Sequence, residues 1–295
     1  MPRRSSSRRP RARAAQAAKR PLLVIDGDSF AHRSYHALPK TIRRKGGGGA
    51  GAIVGFANFL LRLFERERPR AVLVAWDTLD APTYRQGLFE DYQGGREFDD
   101  ELVEQLAMLP QFVAACGFAN AKAAGYEADD FLAAAAAREQ TKGGTALVAT
   151  GDRDAFQLAS AAVTILHPLK AGEMARIGPA EVRERYGVDP RQVPDFIALR
   201  GDPSDKLPGA KGVGPKGAAD LLRRYGTLEK ALADDRLTAQ ADALRLYKRI
   251  ATMDAAAPLP PLRDQRPTWT KASALARDWG LNRLAERLAA LADRF

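Results

Sequence analysis

Four short runs, Leu22–Ile25, Ala71–Trp76, Ala146–Thr150 and Val163–His167, are apolar at nearly every position. Runs of this length without alternation predict strands covered on both faces, as in a parallel sheet. Elsewhere the apolar residues take helical spacing. Ile53, Val54, Phe56, Phe59, Leu60, Leu63 and Phe64 predict a helix over 50–66, and residues 99–116 a second. GYEADDFLAAAAAREQ reads as a helix whose first turn carries acids, and DAFQLA as a short helix after the third strand. Past residue 178 the pattern predicts helices only: GPAEVRERYG, DPRQVPDFIALRG, GPKGAADLLRRYG and TLEKALA. A Pro-rich connection over 256–267 then leads to an amphipathic helix from Trp279 onward. Strand–helix alternation followed by helices predicts an α/β domain over 21–187 and a helical domain over 188–295. Residues 78–98 have no period and are too long for an ordinary connection, which marks a functional or mobile loop. KGGGGAG before the first long helix is a loop whose glycines lack nucleotide-fingerprint spacing.

Charge changes the picture less than it first suggests. The chain of 295 residues carries a net charge of +10, but residues 1–20 hold eight basic residues and no acid. The remainder is thus nearly neutral, and its charge alone says little about nucleic acid. The tail is expected to be a disordered extension that adds unspecific phosphate attraction. A transit-like leader and a misassigned start are the alternatives, and the absence of an apolar segment argues against a secretory signal. One cysteine, Cys116, allows no internal disulfide and is expected as a small core residue in a reducing cytoplasm. With three histidines there are too few soft ligands for a usual structural zinc site. No apolar run reaches the roughly 20 residues of a membrane span.

The chemistry lies in nine carboxylates in short clusters: Asp26, Asp77, Glu127, Asp129, Asp130, Asp152, Asp154, Asp202 and Asp205. Several follow predicted strands, where an open α/β sheet forms its ligand crevice. Gathered carboxylates repel one another unless cations stand between them. Oxygen ligands in that number suit Mg²⁺ or Mn²⁺. Helix capping is the competing account for the GYEADD acids and for Asp152 and Asp154, whereas Asp26 and Asp77 are not needed by the fold.

LPGAKGVGPKG adds an independent signal through Gly209, Lys211, Gly212, Gly214 and Lys216. This is helix–hairpin–helix grammar: glycines allow a tight turn that presents backbone N–H groups to a phosphate, and lysines add charge. An ordinary interhelical turn is the competing account.

In order, LLVIDGDSFAHRSYHAL, AWDTLDAPTYR, GYEADD, TGDRDAFQL and GDPSDKLPGAKGVGPK resemble the 5′-nuclease (flap endonuclease) superfamily over about residues 22–295. The resemblance is to the 5′→3′ exonuclease domain found at the N-terminus of bacterial DNA polymerase I and as free-standing proteins. It implies a PIN-like, mostly parallel sheet flanked by helices, with a helical duplex grip of the helix–three-turn–helix type. It also implies two Mg²⁺ or Mn²⁺ ions, with Asp26, Asp77, Glu127, Asp129 and Asp130 on one side and Asp152, Asp154, Asp202 and Asp205 on the other. Arg33 and Arg85 would hold the substrate near the metals, with Arg96 of the arch as a further catalytic cation. A potassium ion at the helix–hairpin–helix is part of the same implication. The expected protein is a cytoplasmic monomer, not membrane-bound, that cuts DNA 5′ ends, flaps and nicked duplex to 5′-phosphate and 3′-hydroxyl products.

Two departures stand out. The family's Tyr-Lys-x-x-Arg is Tyr92-Gln93-Gly94-Gly95-Arg96 here, and its Ser-Asp-Asn is Ser204-Asp205-Lys206. A missing lysine beside the scissile phosphate costs on the order of 10²-fold in rate if nothing replaces it. Lys206 is either that replacement or a solvated surface charge. Two rival readings remain. One is a catalytically weakened DNA-structure-binding protein of the same fold. The other is an aspartyl-phosphate phosphatase suggested by Asp26-Gly27-Asp28, which explains neither GYEADD nor the hairpin and in which Asp28 is more simply a helix cap.

Overall fold

The computed structural model describes residues 20–78, 81–93, 98–233 and 235–294, so Arg96 lies outside the described residues. Six strands form one sheet: β1 Leu22–Asp26, β2 Ala71–Ala75, β3 Ala119–Ala121, β4 Ala146–Ala149, β5 Val163–Pro168 and β6 Met174–Ile177. Their order is β3-β2-β1-β4-β5-β6, all parallel except the antiparallel edge strand β6. The order reverses between β1 and β4, and their carboxyl ends open a crevice there.

The predicted strands form where the apolar runs place them because both faces are covered. Leu22 and Val24 face one core; Leu23 and Ile25 face the other. One layer holds α1 Gly27–Ala37, α2 Gly51–Glu67 and α4 Asp100–Ala115; α3 Tyr84–Leu88 interrupts the long connection before α4. The opposite layer holds α5 Ala128–Thr141 and then α6 Pro179–Tyr186, α7 Val193–Arg200 and α8 Pro215–Tyr225. Two short helices, α9 Leu228–Ala231 and α10 Asp235–Thr238, precede α11 Ala241–Ala251, α12 Trp269–Asp278 and α13 Asn282–Ala292.

Two expectations change. The chain from 188 onward does not pack as one helical unit. α12 and α13 return to the α/β layer, where Trp269 meets Phe64 and Phe118 edge-on at 5.1 and 5.5 Å. A half-amphipathic helix lowers its free energy by covering the apolar stripe that α2 and α4 leave open. The Pro-rich connection reaches that layer by lying along β2, where Gln265 Oε1 accepts from the Val72 amide at 2.7 Å. Second, Asp28 is not the helix cap. Asp26 caps α1 by accepting from the Ser29 amide at 3.0 Å, and Asp28 instead accepts from the Asp77 amide at 2.7 Å.

Candidate active site

A cleft of about 710 Å³ opens at the carboxyl ends of β1, β2 and β4. Asp26, Asp77, Glu127, Asp129, Asp152, Asp154, Asp202 and Asp205 line it, joined by Asp28. Each acid is fixed by the element that delivers it. Asp26 ends β1, and its second oxygen accepts from Thr150 Oγ1, at the end of β4, at 2.7 Å. Asp77 follows β2 and accepts from the Ala128 amide at 2.7 Å, so it docks the start of α5. Glu127 is the N-cap of α5, and Asp129 stands in its first turn, where acids are favoured by the helix dipole. Asp152 accepts from the Asp154 amide at 2.8 Å. Asp202 and Asp205 come from the turn after α7, closed by an Asp202–Leu207 bridge, so the helical half supplies two of the acids. Asp202 is held by Arg200 Nη2 at 3.0 Å and by the Ser204 amide at 2.9 Å.

Crowding this many carboxyls out of water shows in their acidity. Burial, with the charge of Asp77 added, pushes Asp26 up to about 7. Glu127 also rises to about 7 through burial, although Arg85 pulls the other way. Asp28, Asp129 and Asp154 are pushed well above the usual carboxylate range, first by burial and then by Asp77 for Asp28 and Asp152 for the other two. Asp129 Oδ1 is sealed from solvent with no hydrogen-bond partner among the described residues. An orphaned buried carboxyl oxygen among this many carboxylates fits a hard divalent cation. Among the described residues no three His, Cys, Asp or Glu side chains close into a ready-made cage.

Three predicted residues, Asp130, Arg85 and Arg33, are not on the lining of this cleft. Asp130 is fully buried, and both its oxygens are taken by Arg85, at 2.7 and 2.8 Å. It also accepts from the Asp254 amide at 2.8 Å. Arg85, 2% exposed, spends its other hydrogen bonds on Glu127 and on the carbonyls of Ile250 and Thr252. These bonds tie α3 to α5 and α11. Burial works against the charge of Arg85, but the hydrogen bonds it donates to Asp130 and the field of Glu127 hold its pKa above the ordinary value. Arg33 is exposed and lies along the flank of α1 beside the cleft. Lys206 is exposed and off the cleft lining, with a left-handed backbone at φ 57°.

Sequence reading missed Asp28, His32, Arg153 and Arg200, all on the cleft lining. The Asp-x-Asp spacing and the Arg between Asp152 and Asp154 were the available signals. Gln93 also lines the cleft; its amide bridges the Tyr92 hydroxyl at 2.9 Å and Asp205 Oδ1 at 3.0 Å. Tyr92 in turn donates to Glu127 Oε2 at 3.0 Å.

In the hairpin, Gly209 and Gly212 take positive φ of 74° and 78°. A Cβ on Gly209 would lie 2.4 Å from the Gly201 nitrogen, so this glycine serves close backbone packing. Gly212 and Gly214 face open space, and Lys211 and Lys216 are exposed beside them.

A family model described as the 5′-3′ exonuclease N-terminal resolvase-like domain matches residues 21–187, and one described as the 5′-3′ exonuclease C-terminal SAM fold matches residues 188–272. The chain belongs to the 5′-3′ exonuclease family. This exonuclease-family chain is 41% identical over 221 residues to DNA polymerase I of Mycobacterium tuberculosis, covering 74% of the chain and 24% of the polymerase. It is 44% identical over 210 residues to DNA polymerase I of Deinococcus radiodurans, covering 71% and 21%. It thus spans about a quarter of the length of these curated relatives. Among solved structures, T5 D15 protein co-crystallised with metal ions has a TM-score of 0.67 at 16% identity, covering 92% of this chain and 100% of that one. The Rad2 catalytic core in complex with DNA substrate has a TM-score of 0.60 at 13% identity, covering 92% and 91%. At those identities the structural likeness shows the fold. Among the described residues no helix is long and apolar enough to cross a membrane.

Proposed function

We propose that this protein is a Mg²⁺- or Mn²⁺-dependent 5′→3′ nuclease that hydrolyses DNA at 5′ ends or flaps, leaving a 5′-phosphate and a 3′-hydroxyl. One observation carries the reading. Carboxylates from three parallel strand ends, the first turn of α5 and a turn of the helical half meet in a single cleft. Bound there, divalent ions would supply an activated water and stabilise charge on the phosphoryl oxygens. Asp26, Asp77, Glu127 and Asp129 would hold them from one side and Asp152, Asp154, Asp202 and Asp205 from the other. Thr150 and the Ser29 amide fix the rotamer of Asp26, and Arg200 does the same for Asp202. The backbone amides of Gly212 and Gly214, with Lys211 and Lys216, would receive duplex phosphates away from the cut.

With no lysine at position 93, the cations on the cleft lining are the ones that would face the phosphate. Lys206 is off the cleft lining and Arg85 is buried, whereas Arg153, which follows Asp152 in sequence, is on the lining. We assign Arg153 the positive charge nearest the phosphate. Cleavage of flap, nicked and single-stranded DNA with and without Mg²⁺ or Mn²⁺ tests the proposal. Full activity in excess chelator would sink it, and metal-stimulated binding without cleavage would support the weakened structure-binding reading instead.

A further inference from the structure

The Asp26-Gly27-Asp28 run brings two acids to the cleft, although only Asp26 was expected there. Both stand at the start of α1: Asp26 is its N-cap and Asp28 lies in its first turn. A Cβ on Gly27 would lie 2.4 Å from the Trp76 ring, so only glycine lets the helix start settle against it. Asp28 is 7% exposed. Its Oδ2 accepts from the Asp77 amide at 2.7 Å, and no other hydrogen bond or ion pair reaches the side chain among the described residues. Oδ1 therefore belongs to a buried carboxyl on the cleft lining and has no donor of its own.

Two ordinary accounts of this acid fall short. The helix dipole favours an acid in the first turn, but a solvated one serves that purpose. Docking α1 on the residue after β2 needs one acceptor, which an amide or hydroxyl supplies without burying a charge. Neither explains a carboxyl withdrawn from water beside Asp26 and Asp77, whereas a cation does, because buried charges are stable when paired or bound to metal. Asp129 Oδ1, sealed and without a partner among the described residues, marks the same cleft as one whose oxygens lack counter-charge. The α/β side of the cleft is also short of free anions. Asp130 is spent on Arg85, and Glu127 is held by Arg85 and Tyr92.

We propose that Asp28 is a cation ligand of this cleft, its Oδ1 serving a divalent ion on the α/β side while Oδ2 holds the Asp77 backbone in place. The inference rests on the metal-dependent reading above and adds to it a residue outside the nine expected acids. Its consequence concerns the protein before DNA arrives. With no phosphate oxygen present, the protein's own anions alone compete with the hydration shell of the ion, so one more carboxylate raises affinity in the DNA-free state.

The test measures Mn²⁺ binding to the DNA-free protein by electron paramagnetic resonance of the free ion, which reads affinity without cleavage. Asp28→Asn keeps an oxygen for the Asp77 amide at nearly the same volume and removes the negative charge. Asp28→Ser removes both the charge and the reach to that amide. Each should weaken Mn²⁺ binding by about tenfold or more. The thermal midpoint of the cation-free Asp28→Asn protein should not fall, which separates loss of a ligand from loss of the fold. If Asp28→Asn binds Mn²⁺ like the unaltered protein and only Asp28→Ser is weakened, Asp28 serves as a dock for the Asp77 amide and the assignment is overturned. Unchanged Mn²⁺ affinity in both variants overturns it as well. Absence of Mn²⁺ binding to the unaltered protein would count against the metal-dependent reading itself, and this assignment would fall with it.

Discussion

The side-chain amide of Gln93 donates to Asp205 Oδ1 at 3.0 Å, across the mouth of the acid cleft. Through the Tyr92 hydroxyl the same amide is linked to Glu127, so the base of the arch joins an acid of the helical half to one of the α/β half. A neutral amide there orients carboxylates and adds no charge. Gln93→Ala should raise the half-saturating Mn²⁺ concentration several-fold, read directly by metal titration as well as by cleavage. Unchanged metal affinity would show that Asp205 is oriented without Gln93. Gln93→Lys should raise the single-turnover rate on a 5′ flap by at most about 10²-fold, the scale of one well-placed charged donor. No gain would mean that Arg153 already fills the place, and Arg153→Ala should then be the slower variant.

Arg85 and Asp130 form a pair whose worth should be conformational. Removing one partner leaves a buried charge without compensation, at a cost of about 3–5 kcal/mol. Arg85→Ala and Asp130→Asn should therefore both lower the denaturant midpoint strongly. Replacing the two together with apolar residues of similar volume should recover much of the loss, because no unpaired charge remains. If the single variants unfold like the unaltered protein but lose cleavage, the pair acts in chemistry after all.

Stability of the cation-free protein should fall as pH rises. Asp26 and Glu127 each titrate near 7 when folded, above their ordinary carboxylate values, so the folded state binds more protons between those limits. Linkage then gives a negative slope of stability against pH from about 4 to about 7, and no further loss from these groups above that. Melts in chelator should show a higher midpoint at pH 5 than at pH 8, and excess Mg²⁺ should narrow the gap mainly at pH 8. A cation-free midpoint that rises over this interval would contradict the crowding of these carboxyls.

The hairpin glycines should separate into two kinds. Gly209→Ala meets the Gly201 backbone at 2.4 Å and a left-handed φ, so it should destabilise the fold. Gly214→Ala, at φ −89° with open space around it, should leave the fold intact and weaken duplex binding by crowding a phosphate. Lys211→Ala with Lys216→Ala should flatten the salt dependence by about one to two counterions. Equal stability and equal affinity for both glycine variants would remove the hairpin from the interface.

Local physics was enough for much of this protein to be read from its sequence. Uninterrupted aliphatic runs specify strands covered on both faces and put the acids that follow them at one edge of the sheet, so the sheet and eight of the nine expected cleft carboxylates were legible. The edge strands were not. β3 has three residues and β6 reads Met-Ala-Arg-Ile, too short or too mixed to show a period. Tertiary structure alone decided the fate of Asp130: it occupies the same helix turn as Asp129, but the rotation of α5 points one carboxylate into the cleft and the other at Arg85. It likewise decided that α12 and α13 cover α2 and α4, since an amphipathic stripe specifies that it must be buried and not against what. The exchange of Asp28 for Asp130 in the cleft has the same origin. Sequence spacing sets which residues share an element; only the docking of elements sets which of their side chains meet.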